Sequence, residues 1–271
     1  MPDPFSPIGL FDSGFGGLTV LKALLKFLPY ESFVYFADNL HAPFGEKSTK
    51  EIIFYAEEAA RFLMQQKIKL LVVACNTSSS LALEGLQKKL PIPVVGVVGP
   101  TLEKLKLLKV RRLGVVATLA TVSSEVYPKG LSATAKGLKI VQQACPKLVP
   151  LIERGETDSS ALREALKKYL APLKKEKLDY LLLGCTHYPL IKKLFQKYLG
   201  KKVKIVDSSS TCLCEVRKRL LSRGLLAPLG NAPAVKFFVS KEPQLFQKIG
   251  EGILGKKIEK VLIKDENLEC R

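Results

Sequence analysis

Two stretches of this chain share one layout: an apolar run, a small residue, a cysteine, then two hydrogen-bonding residues. They are Leu70-Leu-Val-Val-Ala-Cys-Asn-Thr77 and Tyr180-Leu-Leu-Leu-Gly-Cys-Thr-His187, with Cys75 and Cys185 standing 110 residues apart in matching places. A second pair matches in the same way, Ile8-Gly-Leu-Phe-Asp-Ser13 with Leu113-Gly-Val-Val-Ala-Thr118. Each reads as a strand that runs into a short polar turn and then a helix. Repeated strand, turn and helix units need a parallel sheet covered by helices, so the pattern predicts two similar α/β halves.

The flanking residues agree. Strands are predicted at Ile8–Phe11, Phe33–Phe36 and Leu70–Ala74, with helices at Leu18–Leu28 and from about Ser79 to Leu90. Asp38 to Glu46 reads as a loop. Ser48, with Glu51 three residues on, forms a capping-box pattern that opens a helix to Gln66. The tail, a strand at Val235–Val239, a helix from about Glu242 and a strand at Lys260–Ile263, fits either half.

Composition matters at two points. The longest stretch without a charge, Leu70–Leu83, has 14 residues, against the ~20 that a spanning helix needs. The N-terminus lacks the basic start and apolar block of a signal peptide, so a cytoplasmic location with its six cysteines as thiols is expected. Charge is uneven. Residues 1–100 carry nine Lys/Arg and nine Asp/Glu, whereas residues 101–271 carry 34 against 16, and so hold the whole excess of +18. Lysines such as Lys167 and Lys168 alternate with Leu162, Ala165, Leu166 and Leu170 at helical spacing, which reads as solvated helix faces. The competing reading is a nucleic-acid-associated binding protein without catalysis.

The chemistry concentrates at the strand-end cysteines. Open α/β sheets bind ligands beyond the carboxyl ends of their strands. A thiol ahead of a helix N-terminus is expected to gain stabilisation of its thiolate, and a modest downward shift from ~8.5 would make it a base near neutrality. A buried, inert cysteine is the alternative, and it is adopted for Cys145, Cys212, Cys214 and Cys270. With only His41 and His187 present, no zinc set is complete, so no metal is expected. Cys185 and His187, two residues apart, are not expected to meet side chain to side chain. Asp12-Ser-Gly-Phe-Gly-Gly17 is neither a dinucleotide nor a Walker loop; its three glycines suit a backbone that approaches a small ligand closely.

Further segments then carry a resemblance: Gly9–Val20, Tyr35–Asp38, Pro43–Ser48, Ala74–Thr77, Cys145–Glu153 and Gly184–Pro189, in order along nearly the whole chain. The chain resembles the glutamate racemases, within the cofactor-independent aspartate/glutamate racemase superfamily. The resemblance implies interconversion of L- and D-glutamate by two bases without a cofactor, supplying D-glutamate for peptidoglycan. It implies that Cys75 and Cys185 are the catalytic thiols and that Asp12, Glu153 and His187 tune them. Asp12, Ser13, Phe44, Gly45, Asn76, Thr77, Thr186 and His187 match substrate-contact positions. It also implies two α/β domains with the site in the cleft between them: residues 1–98 plus 210–271, and residues 99–209. A homodimer is a further expectation. Two departures stand out, His41 where the family usually has Arg and Phe44 where it usually has Tyr. Aspartate or another acidic amino acid is the alternative substrate, although aspartate racemases typically carry Glu at the place of His187.

Overall fold

The structure is a computed structural model and describes residues 2–132 and 137–264. Cys270 lies outside the described residues. The first half runs β1 (Ile8–Asp12), α1 (Leu18–Phe27), β2 (Phe33–Ala37), a 3-10 turn at Phe44–Glu46, α2 (Thr49–Gln65), β3 (Leu70–Val73), α3 (Asn76–Leu81), α4 (Leu83–Lys89) and β4 (Val94–Gly96). The second half runs α5 (Val98–Leu107), β5 (Arg112–Ala117), α6 (Leu119–Ser123), α7 (Val126–Ser132), β6 (Lys139–Ala144), α8 (Leu148–Glu153), α9 (Ser160–Lys175), β7 (Tyr180–Gly184), a 3-10 turn at Tyr188–Ile191, α10 (Lys192–Leu199) and β8 (Lys204–Asp207). The tail adds α11 (Leu213–Leu221), β9 (Val235–Val239), α12 (Pro243–Leu254) and β10 (Val261–Ile263).

Two parallel sheets result, ordered β10-β9-β2-β1-β3-β4 and β6-β5-β7-β8. The repeat is real in three dimensions. β1 lies between β2 and β3 as β5 lies between β6 and β7, and the two cysteines follow the equivalent strands β3 and β7. Helices cover both faces of each sheet, which is why the central strands β1, β2, β3 and β7 are almost wholly apolar and buried at nearly every position. The tail returns to the first sheet: Phe33–Ala37 pairs in register with Val235–Val239. Glu31 reinforces that return. Its carboxylate accepts the Ala227 N–H at 2.8 Å and pairs with the buried Lys69 at 2.6 Å.

The capping box is present, with Ser48 N–H donating to Glu51 at 2.9 Å and Glu51 N–H to Ser48 Oγ at 3.3 Å. The helix expected from Ser79 differs. It starts at Asn76 and breaks at Ala82, so Cys75 itself occupies the N-cap position. Polar Asn76 and Thr77 had read as a connecting turn, yet polar residues are well tolerated in a first helical turn. In α9 the buried face is Leu162, Leu166, Leu170 and Leu173, while Lys167 and Lys168 are exposed.

Candidate active site

In each sheet the loops leaving the two central strands diverge, and this opens a crevice at their carboxyl ends. Asp12 ends β1 and Cys75 follows β3 by two residues; Thr118 directly follows β5 and Cys185 follows β7. The two crevices face one another. Ser13, Cys75, Asn76 and Thr77 line one side of the resulting cleft, Thr118, Cys185, Thr186 and His187 the other, and Phe44 and Gly45 cover it. The cleft is nearly closed, with about 20 Å³ of free space between these side chains, roughly the room of one water.

Gly16 in the loop after β1 and Gly45 in the 3-10 turn let the halves close. A Cβ at Gly16 would lie 2.5 Å from His187 Nδ1, and one at Gly45 2.5 Å from Thr118 Cβ. Tyr35 fixes the loop after β1 by donating its hydroxyl proton to the Gly14 carbonyl at 2.8 Å.

Around Cys75 the surroundings are buried and neutral or negative. Ser13 Oγ lies 3.6 Å from Cys75 Sγ. Asp12, fully buried, accepts the Gly14 N–H at 3.1 Å and the Thr186 hydroxyl at 3.2 Å, and burial pushes its carboxyl up. Burial also pushes the Cys75 thiol up, and the Asp12 charge adds to this. The expectation that a helix N-terminus would make Cys75 a ready thiolate is therefore overturned. Desolvation of the charged sulfur outweighs the nearby donors.

Around Cys185 the balance differs. Its Sγ lies 3.8 Å from His187 Nδ1, and His187 Nε2 lies 3.0 Å from Glu153 Oε1. Burial works against a charge on His187, but Cys185 and Glu153 together overcome it and hold the imidazole well above its ordinary pKa. His187 thus stands between the Cys185 sulfur and the Glu153 carboxylate, the two groups that favour its protonated form. The two side chains were not expected to meet. The chain turns sharply after β7, where Tyr188 N–H bonds back to the Cys185 carbonyl at 3.2 Å, and the 3-10 turn folds His187 over the sulfur. Asp12 and Glu153 do not line the cleft; each stands behind a residue that does.

Asn76 is clamped from across the cleft. Tyr127 donates to its Oδ1 at 2.8 Å, and its Nδ2 donates to Ser208 Oγ at 2.9 Å. Thr77 Oγ1 lies 2.9 Å from Thr118 Oγ1 and 3.2 Å from Thr121 Oγ1. Sequence reasoning missed Tyr127, Ser208, Thr118 and Thr121. Thr118 had a signal, because it matches Ser13 in the repeat; the others had none. Phe44 lines the cleft and packs on Phe11 and Tyr55 at ring distances of 6.0 and 5.8 Å. His41 does not line it. Its Nδ1 lies 2.8 Å from Asp38 Oδ1, and its ring stacks on Tyr55 at 4.0 Å.

Cys145 and Cys212 are buried and burial pushes both thiols up, Cys212 to about 12; Cys214 is exposed. Among the described residues no group of three or more His, Cys, Asp or Glu could hold a metal, and no helix is long and apolar enough to cross a membrane. Lys192 pairs with Asp207 at 2.9 Å and Lys106 with Glu103 at 2.7 Å on the surface.

Residues 25–213 match the family model described as Asp/Glu/Hydantoin racemase. A glutamate racemase of Geobacter metallireducens is 42% identical over 256 residues, covering 94% of this chain and 95% of that protein. The crystal structure of glutamate racemase isoform RacE1 from Bacillus anthracis superposes with a TM-score of 0.90 at 38% identity, covering 96% of this chain and 98% of that one. A glutamate racemase from Francisella tularensis, solved in complex with D-glutamate, gives a TM-score of 0.89 at 33% identity over 97% and 98% of the two chains.

Proposed function

The chain belongs to the Asp/Glu/Hydantoin racemase family, and from that premise we propose that it interconverts L- and D-glutamate with two thiols, Cys75 and Cys185. It is an isomerase, an amino-acid racemase. One observation carries the two-thiol reading: the cysteines that follow equivalent strands of two similar sheets line a single narrow cleft from opposite sides.

In this mechanism the Cys185 thiolate takes the α-proton of L-glutamate. The C–H bond breaks and its electron pair stays on Cα and the adjoining carboxylate. The Cys75 thiol then gives its proton to the opposite face of Cα. Cys185 ends as thiol and Cys75 as thiolate, and the D-enantiomer reacts by the reverse path. The asymmetry of the site supports this resting arrangement. The protonated His187 supplies a counter-charge beside Cys185, while burial and Asp12 keep the proton on Cys75. No cofactor is needed if fixed donors stabilise the developing charge, and the Thr77–Thr118–Thr121 hydroxyls and the clamped Asn76 amide are such donors. The 1–98 plus 210–271 and 99–209 segments act as the two domains in this reading. The biological role that follows is supply of D-glutamate for peptidoglycan.

Racemisation of L-glutamate in D₂O, read by circular dichroism and NMR, tests this. Product should carry deuterium at Cα from the first turnover while residual L-glutamate stays protonated. Near wild-type racemisation by Cys75→Ala or Cys185→Ala would refute the two-thiol assignment, and turnover of aspartate alone would move the substrate to that acid.

A further inference from the structure

Cys75 faces a difficulty that Cys185 does not. Once it has given its proton away, a buried thiolate stands beside the Asp12 carboxylate, and among the described residues no cation is paired with it. The titratable and charged groups that face it are Asp12 from β1, Tyr35 from β2, Glu46 from the 3-10 turn that covers the cleft and, from the opposite side, Cys185 and His187. His187 is already committed to Cys185 and Glu153. Neutral donors must therefore carry the charge, and Ser13 is one of them at 3.6 Å.

Ser78 is a second. It is the third residue of α3 after the N-cap Cys75, the position whose backbone N–H faces an N-cap side chain. Its side chain is fully buried, and among the described residues its Oγ has no hydrogen-bond partner. Its neighbours in the same helix are all engaged: Asn76 with Tyr127 and Ser208, Thr77 with Thr118, Ser79 with the Val98 N–H and Ser80 with the Asn76 carbonyl. A buried hydroxyl left without a partner is costly. Ser78 follows the N-cap Cys75 by three residues in the same first turn, and both its hydroxyl and its N–H favour the ionised sulfur.

Resting on the reading of Cys75 as one of the two bases, we infer that Ser78 is a positioning residue whose otherwise idle hydroxyl donates to the Cys75 thiolate when it forms and lets go when the sulfur is reprotonated. Ser78 thus does for Cys75 with a neutral donor what His187 does for Cys185 with a charged one.

The test uses Ser78→Ala and Ser78→Thr in the full chain. The pH dependence of iodoacetamide alkylation at Cys75, read peptide by peptide, reports the thiol directly, and racemisation is followed from both enantiomers. Ser78→Ala should raise the Cys75 alkylation midpoint by about one pH unit and lower kcat/KM by about tenfold. The loss must be equal in the two directions, because the equilibrium constant between enantiomers is unity. Thermal stability should hold or rise, since an unpartnered buried hydroxyl is removed. Ser78→Thr, which keeps the hydroxyl, should restore the midpoint. An unshifted Cys75 midpoint with kcat/KM within twofold of wild type in Ser78→Ala would overturn the inference, as would parallel loss of stability and activity with no change in the midpoint. Wild-type turnover by Cys75→Ala would instead overturn the two-thiol reading, while the alkylation profile still decides what Ser78 does to the sulfur.

Discussion

Glu153→Gln isolates the charge behind His187. The substitution keeps an oxygen acceptor for His187 Nε2, which lies 3.0 Å from Oε1, and removes only the negative charge. The His187 side chain is 2% exposed and that of Glu153 19%, so solvent screens the pair weakly. Hydrogen bonds to charged groups contribute ~1.5–3 kcal/mol, about twice the neutral value, so losing the charge alone should cost about 1–2 kcal/mol. That corresponds to a fall of roughly fivefold to thirtyfold in kcat/KM if the imidazolium is needed beside a Cys185 thiolate. The sign with pH follows from the raised pKa of His187. A group whose folded pKa exceeds its unfolded value stabilises the fold fully below ~6.5, and this is lost as pH rises through the folded value. The Tm difference between wild type and Glu153→Gln should accordingly be largest near pH 6 and shrink in alkaline solution. Circular dichroism measures both racemisation and melting. Unchanged kcat/KM together with a Tm difference independent of pH would refute the role given to this pair.

Gly16→Ala would press a methyl group against His187 and Thr186; activity should fall at least tenfold with the fold retained by circular dichroism, and full activity would show that the loop gives way. Phe44→Tyr places a hydroxyl at a side chain that lines the cleft. Apparent glutamate affinity should change by less than tenfold, or under ~1.4 kcal/mol, and a larger gain in a KM measurement would make the missing hydroxyl a substrate ligand. Replacing Lys192, Lys193 and Lys197 together by Gln removes the 2.9 Å pair that helps hold the Asp207 carboxyl below its usual range. Racemisation should stay within about twofold, as expected for surface changes of ~0.5 kcal/mol. Stability should fall near neutral pH and converge with wild type in acid, where Asp207 is protonated in both; loss of activity with the fold intact would bring this basic face into the mechanism.

What the sequence determined by itself is what short-range pattern encodes. Apolar runs that end at Asp12, Cys75, Thr118 and Cys185, each followed by helical periodicity, specify two parallel-sheet halves, because strand and helix spacing are local properties of the backbone. The Ser48–Glu51 capping box is equally local, and so it was legible. The pairing of Glu153 with His187 was not legible, since nothing in the 33 intervening residues indicates that their side chains touch. The tail strand Val235–Val239 fits either sheet by pattern; register pairing with β2 decides which. Tertiary structure also decided the sign of the Cys75 shift. A helix N-terminus is visible in the sequence and favours a thiolate, but the depth of burial and the Asp12 carboxylate that oppose it belong to the assembled cleft. Desolvation depends on everything packed around a group, and that environment exists only once both halves have closed on each other.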